Sequence, residues 1–117
     1  MKKIEAVIKP YKLKDVLKAL AKIGITRVVA EEIKGFGRRM NAASLYKVKK
    51  GMKFILEYLP KIKIYLVVSD DIFEKVVDII SSTASSREIG DGKIFISDVI
   101  DCIDIRSGER GFCGNPE

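Results

Sequence analysis

The hydrophobic pattern of the chain predicts two units, each made of a strand followed by a helix. In the first unit, a strand with alternating apolar residues (2–9) precedes a helix with apolar residues at helical spacing (12–24). The second unit repeats this order, with an apolar strand (61–69) and a helix whose first turn is acidic (70–84). A period of two is typical of strands, whereas spacings of three and four are typical of helices.

Each unit is followed by a further predicted strand, at residues 26–33 and at residues 92–105, the latter with a break inside it. The two units also match each other without gaps at an offset of sixty, so that nearly every apolar position of residues 3–20 coincides with one of residues 63–80. This order predicts the α+β, ferredoxin-like βαββαβ fold. In that fold, both helices pack on one face of a four-stranded antiparallel sheet.

The other face of the predicted sheet is left uncovered. Val7, Tyr65 and Val67 fall on this face, and their side chains are too apolar for a surface that is open to water. Exposed apolar surface of this kind usually marks an interface. The sequence therefore predicts an oligomer.

Composition indicates one folded domain spanning residues 1–117, since apolar residues make up 47% and charged residues 32%. No apolar run is long enough to span a bilayer and no signal sequence is recognisable, so we expect cytoplasmic residence. Two cysteines, Cys102 and Cys113, are too few for a disulfide framework. Because the chain has no histidine, we predict no metal site and disfavour histidine-dependent catalysis.

The net charge of +6 is concentrated in residues 34–63, which contain nine basic residues and one acidic residue. A local excess of positive charge indicates an anionic partner. Most of this segment is a connection of 25 residues from Gly35 to Leu59, whereas hairpin loops have about two to five. We predict that segment 35–59 is an extended target-binding loop that orders on binding. Its predicted target-binding residues are Arg39, Tyr46, Lys47, Lys49, Lys50, Lys53 and Phe54.

Three glycine-containing turns carry cations: KGFGRR (34–39), GDGK (90–93) and RSGERG (106–111). Each one on its own is explained as an ordinary turn, because glycine permits the required backbone conformations. Backbone N–H groups beside glycine, together with lysine or arginine, also bind phosphate. The presence of three such clusters next to predicted strand ends favours phosphate binding over turn chemistry alone.

Five motifs then occur in the order KKIEAVIKPYKL, EIKGFGR, LPKIKI, SREIGDGKIFI and IRSGERG. Over nearly the whole chain, they resemble the successive motifs of the PII family of nitrogen-regulatory signalling proteins. The resemblance implies a homotrimer of ferredoxin-like subunits that binds ATP or ADP between subunits. It also implies that the long loop engages a target protein, such as an ammonium channel or other membrane transporter, an enzyme of nitrogen metabolism or a transcription regulator.

The resemblance further implies a nucleotide site. It places residues 85–93 as a phosphate-binding turn, Val7 near the adenine, and Arg106, in the C-terminal segment 104–117, near the phosphates. Lys61 matches a lysine that in relatives helps to hold 2-oxoglutarate. The nucleotide-site residues predicted in this way are Val7, Val29, Gly35, Gly37, Arg38, Arg39, Lys61, Val67, Ser86, Gly90, Asp91, Gly92, Lys93 and Arg106.

Several positions depart from the family pattern. Arg39 stands where relatives usually have a glutamine that positions Mg²⁺, and guanidinium has donors only. Asp104 replaces an arginine and is expected to repel phosphate, while Val29 and Tyr65 replace a threonine and a glutamate. We therefore predict that Mg²⁺-dependent binding of 2-oxoglutarate is weak or absent. No tyrosine occupies the loop position that is uridylylated in relatives, so this modification is not expected.

Two other function classes compete with this reading. A small nucleic-acid-binding domain would explain a basic loop with interleaved aromatics, but not the GDGK turn, and the predicted strands lack clustered exposed aromatics. An enzyme is least favoured, because no pair of nucleophile and base is visible. The sequence thus predicts a non-enzymatic sensor of adenine nucleotides and leaves open its target and its preference among ATP, ADP and AMP.

Overall fold

The computed structural model describes the backbone of residues 1–38 and 56–111, and the side chains of residues 1–34 and 60–111. The order of elements is the predicted βαββαβ. The elements are β1 (Lys2–Ile8), a short 3₁₀ helix (Pro10–Lys12), α1 (Leu13–Ala21), β2 (Val29–Arg38), β3 (Leu56–Val68), α2 (Phe73–Ala84) and β4 (Gly92–Asp98).

The four strands form one antiparallel sheet in the order β2-β3-β1-β4, which confirms the predicted fold. Because β1 lies between β3 and β4, its two ends define the two ends of the sheet. Its neighbours are Ile62 and Gly92 at the Ile8 end, and Val68 and Asp98 at the Lys2 end.

Both helices cover the same face of the sheet, and the core between them is built from equivalent positions of the two units. Alternate strand residues and helix residues spaced by four turn inward, as the two hydrophobic periods require. The buried pairs, each separated by sixty residues, are Ile4 and Ile64, Ala6 and Leu66, Ile8 and Val68, Val16 and Val76, and Leu20 and Ile80. The internal repeat of the sequence is therefore a repeat of core positions.

The opposite face of the sheet is uncovered in the single chain. Val7, Tyr65 and Val67 lie there and are partly exposed, as predicted. Two ion pairs share this face, Lys63–Glu31 at 3.0 Å and Lys3–Glu5 at 2.7 Å. Further exposed apolar side chains lie beside and along β4 and after it: Ile89, Phe95, Ile96, Ile100, Ile103 and Ile105.

Strands β2 and β3 are longer than the sequence pattern indicates. They extend into both ends of the segment predicted as loop, where residues 35–38 pair with residues 56–59 as a two-stranded ribbon. This ribbon projects beyond the Ile8 end of the sheet. The glycines of GFG and Pro60 indicated that the strands end there. The hydrogen-bonded pairing between β2 and β3 outweighs these weak local preferences. Residues 39–55 lie outside the described residues.

The last predicted strand ends at Asp98, close to the expected break, and is followed by a hairpin with a bridge between Ile103 and Arg110. Cys102 in this hairpin is disulfide-bonded, and Cys113, the other cysteine of the chain, lies outside the described residues. Across residues 1–38 and 56–111, no helix has both the length and the apolar character needed to cross a bilayer.

Candidate functional site

The turn between α2 and β4 is organised by the carboxylate of Asp91. Its Oδ2 accepts hydrogen bonds from the backbone N–H groups of Ser86 (2.8 Å) and Glu88 (3.3 Å), and its Oδ1 accepts one from the Ser86 hydroxyl. These hydrogen bonds stabilise the charged carboxylate and hold the pKa of Asp91 well below its usual range, and the bond from the Ser86 hydroxyl contributes most. Asp91 was predicted as part of the phosphate-binding turn, and its carboxylate points into that turn.

Two lysines from neighbouring strands attach this turn to the sheet. The Lys9 Nζ, just beyond β1, lies 3.2 Å from Asp91 Oδ1, 3.2 Å from the Ser86 hydroxyl and 3.5 Å from Glu88 Oε2. The Lys61 Nζ, from β3, donates to the carbonyl oxygen of Gly90. Sequence reasoning missed Lys9, whose only signal was its position at the end of a strand. The turn therefore has a fixed place relative to β1 and β3.

The two glycines of the GDGK motif are required for different reasons. Gly92 has φ +113°, and a Cβ built there would lie 1.7 Å from the carbonyl oxygen of Val7. Only glycine therefore lets β4 approach β1 at this point. Gly90 has φ +94°, but the nearest atoms to a Cβ there are the side-chain ends of Lys9 and Lys61, at 4.0 Å. Its requirement comes from the backbone conformation and not from crowding.

A cavity of about 320 Å³ opens beside the turn. Its volume is at the lower end of the range of small-molecule sites, roughly 300–1,000 Å³. The Lys93 ammonium makes no hydrogen bond or ion pair with another described residue, so it is available to an anion. The lining residues are Val7, Ile8, Ser81, Ala84, Ser85, Asp91, Gly92, Lys93 and Ile94.

Most of the described residues that the sequence singled out lie together at the Ile8 end of the sheet. The ribbon of β2 and β3 begins at the same end, which brings the base of the long connection beside the turn. The residues of this group are Val7, Lys61, Ser86, Gly90, Asp91, Gly92 and Lys93, with the backbone of Gly35, Gly37 and Arg38 in the ribbon. Those outside the described residues are Arg39, Tyr46, Lys47, Lys49, Lys50, Lys53 and Phe54.

Three predicted site residues are placed elsewhere. Val67 pairs with Lys3 near the Lys2 end of the sheet, and Val29 pairs with Tyr65 on β3. Arg106 lies in the hairpin that follows the Lys2 end of β4. A strand of seven residues, such as β4, spans about 20 Å. One subunit therefore does not gather all of the predicted residues around a single point.

The hairpin of residues 101–111 is organised by its own carboxylates. Asp104 Oδ1 accepts hydrogen bonds from the N–H (2.8 Å) and the hydroxyl (3.1 Å) of Ser107. The Ser107 backbone donor is the main reason why the pKa of Asp104 is lowered. Asp101 forms an ion pair with Arg110 at 2.6 Å. The sequence suggested only that Asp104 repels phosphate, and missed its role in shaping the turn that carries Arg106.

A family model described as "Nitrogen regulatory protein P-II" matches residues 1–109. The chain belongs to this family. It is 51% identical to nitrogen regulatory protein P-II of Klebsiella oxytoca and to nitrogen regulatory protein P-II 1 of Escherichia coli K12, over 94% of this chain and 96% of each relative. The corresponding protein of Bradyrhizobium diazoefficiens is 47% identical over 95% of this chain and 96% of its own length.

The fold matches as well as the sequence. The crystal structure of Arabidopsis thaliana PII bound to citrate superposes with a TM-score of 0.73 and 35% identity, covering 94% of this chain and 84% of that one. The predicted resemblance is therefore confirmed, and P-II signalling is the function of this protein. Proteins of this family are regulators, and nothing in the comparisons favours the nucleic-acid alternative.

Proposed function

We propose that this P-II protein is a homotrimeric sensor of ATP or ADP. The observation that carries the proposal is the arrangement at the Ile8 end, where the Gly90–Lys93 turn lies beside a cavity and beside the Lys93 ammonium, which has no partner among the described residues. Backbone N–H groups in a glycine turn with an adjacent lysine suit a polyphosphate. The apolar lining from Val7, Ile8 and Ile94 suits the less polar part of a ligand.

A site shared between subunits explains why some predicted site residues lie far from the Ile8 end within one subunit. If the Ile8 end of one subunit faces the Lys2 end of the next, Val29, Val67 and Arg106 of the neighbour complete the site. The uncovered sheet face and the exposed apolar side chains of β4 support such an assembly. Family membership supports three as the number of subunits.

The contact between Lys61 and Gly90 supports a route from the nucleotide to the target-binding loop. Lys61 lies on β3, five residues after Leu56, which is the first described residue after residues 39–55, so a change in the turn alters the base of the ribbon. Nucleotide binding then shifts the population of loop conformations that bind a target. The basic loop favours a target with acidic or carbonyl acceptors, such as a transporter, an enzyme of nitrogen metabolism or a transcription regulator.

We also propose that Mg²⁺-dependent binding of 2-oxoglutarate is weak or absent. The ammonium of Lys61, the lysine implied for this ligand, donates a hydrogen bond to the Gly90 carbonyl oxygen, which supports a reduced ability to bind a carboxylate. The division of residues 1–117 into one domain with loop 35–59, turn 85–93 and C-terminal segment 104–117 is proposed as well. Cytoplasmic residence remains a prediction.

Calorimetric titration of the full chain with ATP, ADP, AMP and adenosine tests the proposal, with light scattering to follow the subunit number. We expect saturable binding of ATP or ADP to a trimer. Lys93→Ala should weaken this binding about tenfold, as loss of a charge-assisted hydrogen bond does. Lys75→Ala, an exposed lysine on α2, is the matched control and should bind like the parent. If the full chain is monomeric and binds no adenylate, the proposal is wrong.

The 2-oxoglutarate prediction needs a separate titration. We expect no detectable heat when 2-oxoglutarate is added to the ATP-loaded protein with Mg²⁺. Tight binding under these conditions, absent without Mg²⁺ and ATP, would show that Arg39 and Asp104 do not have the expected effect. It would leave the nucleotide proposal intact.

A further inference from the structure

The turn at the Ile8 end has more positive than negative charge around it. Counting the side chains in the turn and those that reach it from the strands, four cations surround two carboxylates. The cations are Lys9, Lys61, Arg87 and Lys93, and the carboxylates are Glu88 and Asp91. The excess charge fits an anionic ligand, but these four cations are not equivalent.

Two of the four cations already hold the turn together. The Lys9 ammonium contacts both carboxylates, Asp91 at 3.2 Å and Glu88 at 3.5 Å, and therefore offsets part of their negative charge within the turn. The Lys61 ammonium donates to the carbonyl oxygen of Gly90. A ligand that recruited either lysine would have to break these contacts.

The other two cations, Arg87 and Lys93, make no side-chain hydrogen bond or ion pair with any of the described residues. Lys93 lines the cavity. Arg87 is exposed and lies two residues after Ser85 and four before Asp91, both of which also line the cavity. The uncommitted guanidinium is thus carried by the same turn that forms the cavity wall.

The backbone of the turn holds Arg87 in an uncommon conformation. Its φ is +62°, in the left-handed region where residues other than glycine rarely occur. The N–H groups on both sides of it, those of Ser86 and Glu88, donate to Asp91 Oδ2, and its own N–H donates to the Ser85 hydroxyl at 3.3 Å. These peptide groups are directed into the turn, and the Arg87 side chain is exposed.

We infer that Arg87 is a phosphate-binding residue, which with Lys93 forms a pair of cations for the phosphate groups of the bound nucleotide. The inference rests on the proposed nucleotide function and adds to it a residue that lies within the predicted phosphate-binding turn 85–93 but is not among the predicted nucleotide-site residues. A guanidinium binds phosphate bidentately, so its contribution grows with the number of phosphate groups within its reach. Arg87 therefore selects for ATP and ADP over AMP and adenosine.

The test compares the parent with Arg87→Gly, because glycine adopts φ +62° without strain and the turn is kept. Calorimetry with ATP, ADP, AMP and adenosine is the measurement. We expect ATP and ADP to bind about tenfold more weakly to Arg87→Gly, with a smaller loss for AMP and none for adenosine. Arg27→Ala is the control, an exposed arginine before β2 that should leave all four affinities unchanged.

The possible failures are distinguishable. If the parent binds ATP or ADP and Arg87→Gly binds them equally well, the inference about Arg87 is wrong and the nucleotide site stands. If Arg87→Gly loses affinity for adenosine as strongly as for ATP, Arg87 acts on the turn and not on phosphate, and the inference is again wrong. If the parent binds no adenylate, the proposed function fails, and the inference fails with it.

Discussion

Two turns of this protein are similar in sequence but differ in how they are held. The turn at residues 85–93 and the hairpin at residues 101–111 both contain glycine, arginine and aspartate. In both, the aspartate accepts hydrogen bonds from backbone N–H groups, Asp91 from those of Ser86 and Glu88, and Asp104 from that of Ser107. Locally, the two turns use the same chemistry.

The difference lies in the partners from the rest of the chain. The first turn is held by Lys9, at the C-terminal end of β1, and by Lys61 on β3, and it packs against the Val7 carbonyl of β1. All three are far from the turn in sequence. The hydrogen bonds and the ion pair described within the hairpin, such as Asp101–Arg110, join residues at most nine positions apart. Local contacts give a turn its shape, whereas long-range contacts also set its position. A binding site needs both.

The largest effect should come from adding a methyl group to each turn. In Gly92→Ala, the Cβ would overlap the Val7 carbonyl at 1.7 Å, and we expect a loss of about 3–5 kcal/mol in the free energy of unfolding. In Gly108→Ala, φ is +73° with no atom within 4 Å, so only the backbone strain of about 1–2 kcal/mol remains. Urea denaturation of both variants measures the difference, and equal losses would contradict the contrast drawn between the turns.

Acid should loosen the first turn more than the second. The pKa of Asp91 is lowered in the folded protein, so its stabilisation is present above the unfolded pKa of about 4 and is lost as the pH falls below that value. We expect Asp91→Asn to lower the thermal midpoint at pH 7 and to flatten its decline between pH 5 and pH 2. Asp104→Asn, whose pKa is also lowered in the hairpin, is the comparison and should have the smaller effect.

Removing Lys9 should affect one turn and leave the other unchanged. Without the Lys9 ammonium, the Asp91 carboxylate loses its cationic partner, and the turn loses its attachment to the end of β1. We therefore expect faster amide hydrogen exchange at Ser86 and Glu88 in Lys9→Ala, and unchanged exchange at Ser107. Lys22→Ala, an exposed lysine after α1, is the control. Equal acceleration in the turn and the hairpin would mean that Lys9 acts on the whole fold.

The smallest effect on stability should be a gain. Arg87 has φ +62°, which glycine adopts at lower cost, so Arg87→Gly should unfold with about 0.5–1 kcal/mol more free energy than the parent. The same variant is expected to lose affinity for ATP and ADP. A gain in stability together with a loss of binding would show that the strained arginine is kept for its ligand. A variant less stable than the parent would show that Arg87 supports the turn.

The fold was predictable because its two hydrophobic periods are unambiguous. Ile4, Ile8, Val16 and Leu20, and their equivalents sixty residues later, are all buried as their spacing indicated. The extension of β2 to Arg38 was not predictable, because glycines have weak strand preference and only pairing with residues 56–59 makes that segment a strand.

The candidate site was predictable in part. The glycines and Lys93 of the GDGK motif carried a local signal, and the structure places them beside a cavity. Lys9 carried none, since its role depends on meeting Asp91 across more than eighty positions of the chain. The positive φ of Arg87 also follows from contacts made by Asp91 and not from the arginine itself.

By itself, the sequence determined the order of strands and helices, the face of each that is buried, the repeat of the two units and the family. These features depend on local periodicity and on residue types at fixed spacing, which are visible in one dimension. Only the tertiary structure decided which carboxylates are enclosed, which lysines are already engaged and which site residues one subunit can bring together. Those properties depend on distances between groups far apart in the chain, and these distances are set when the sheet forms.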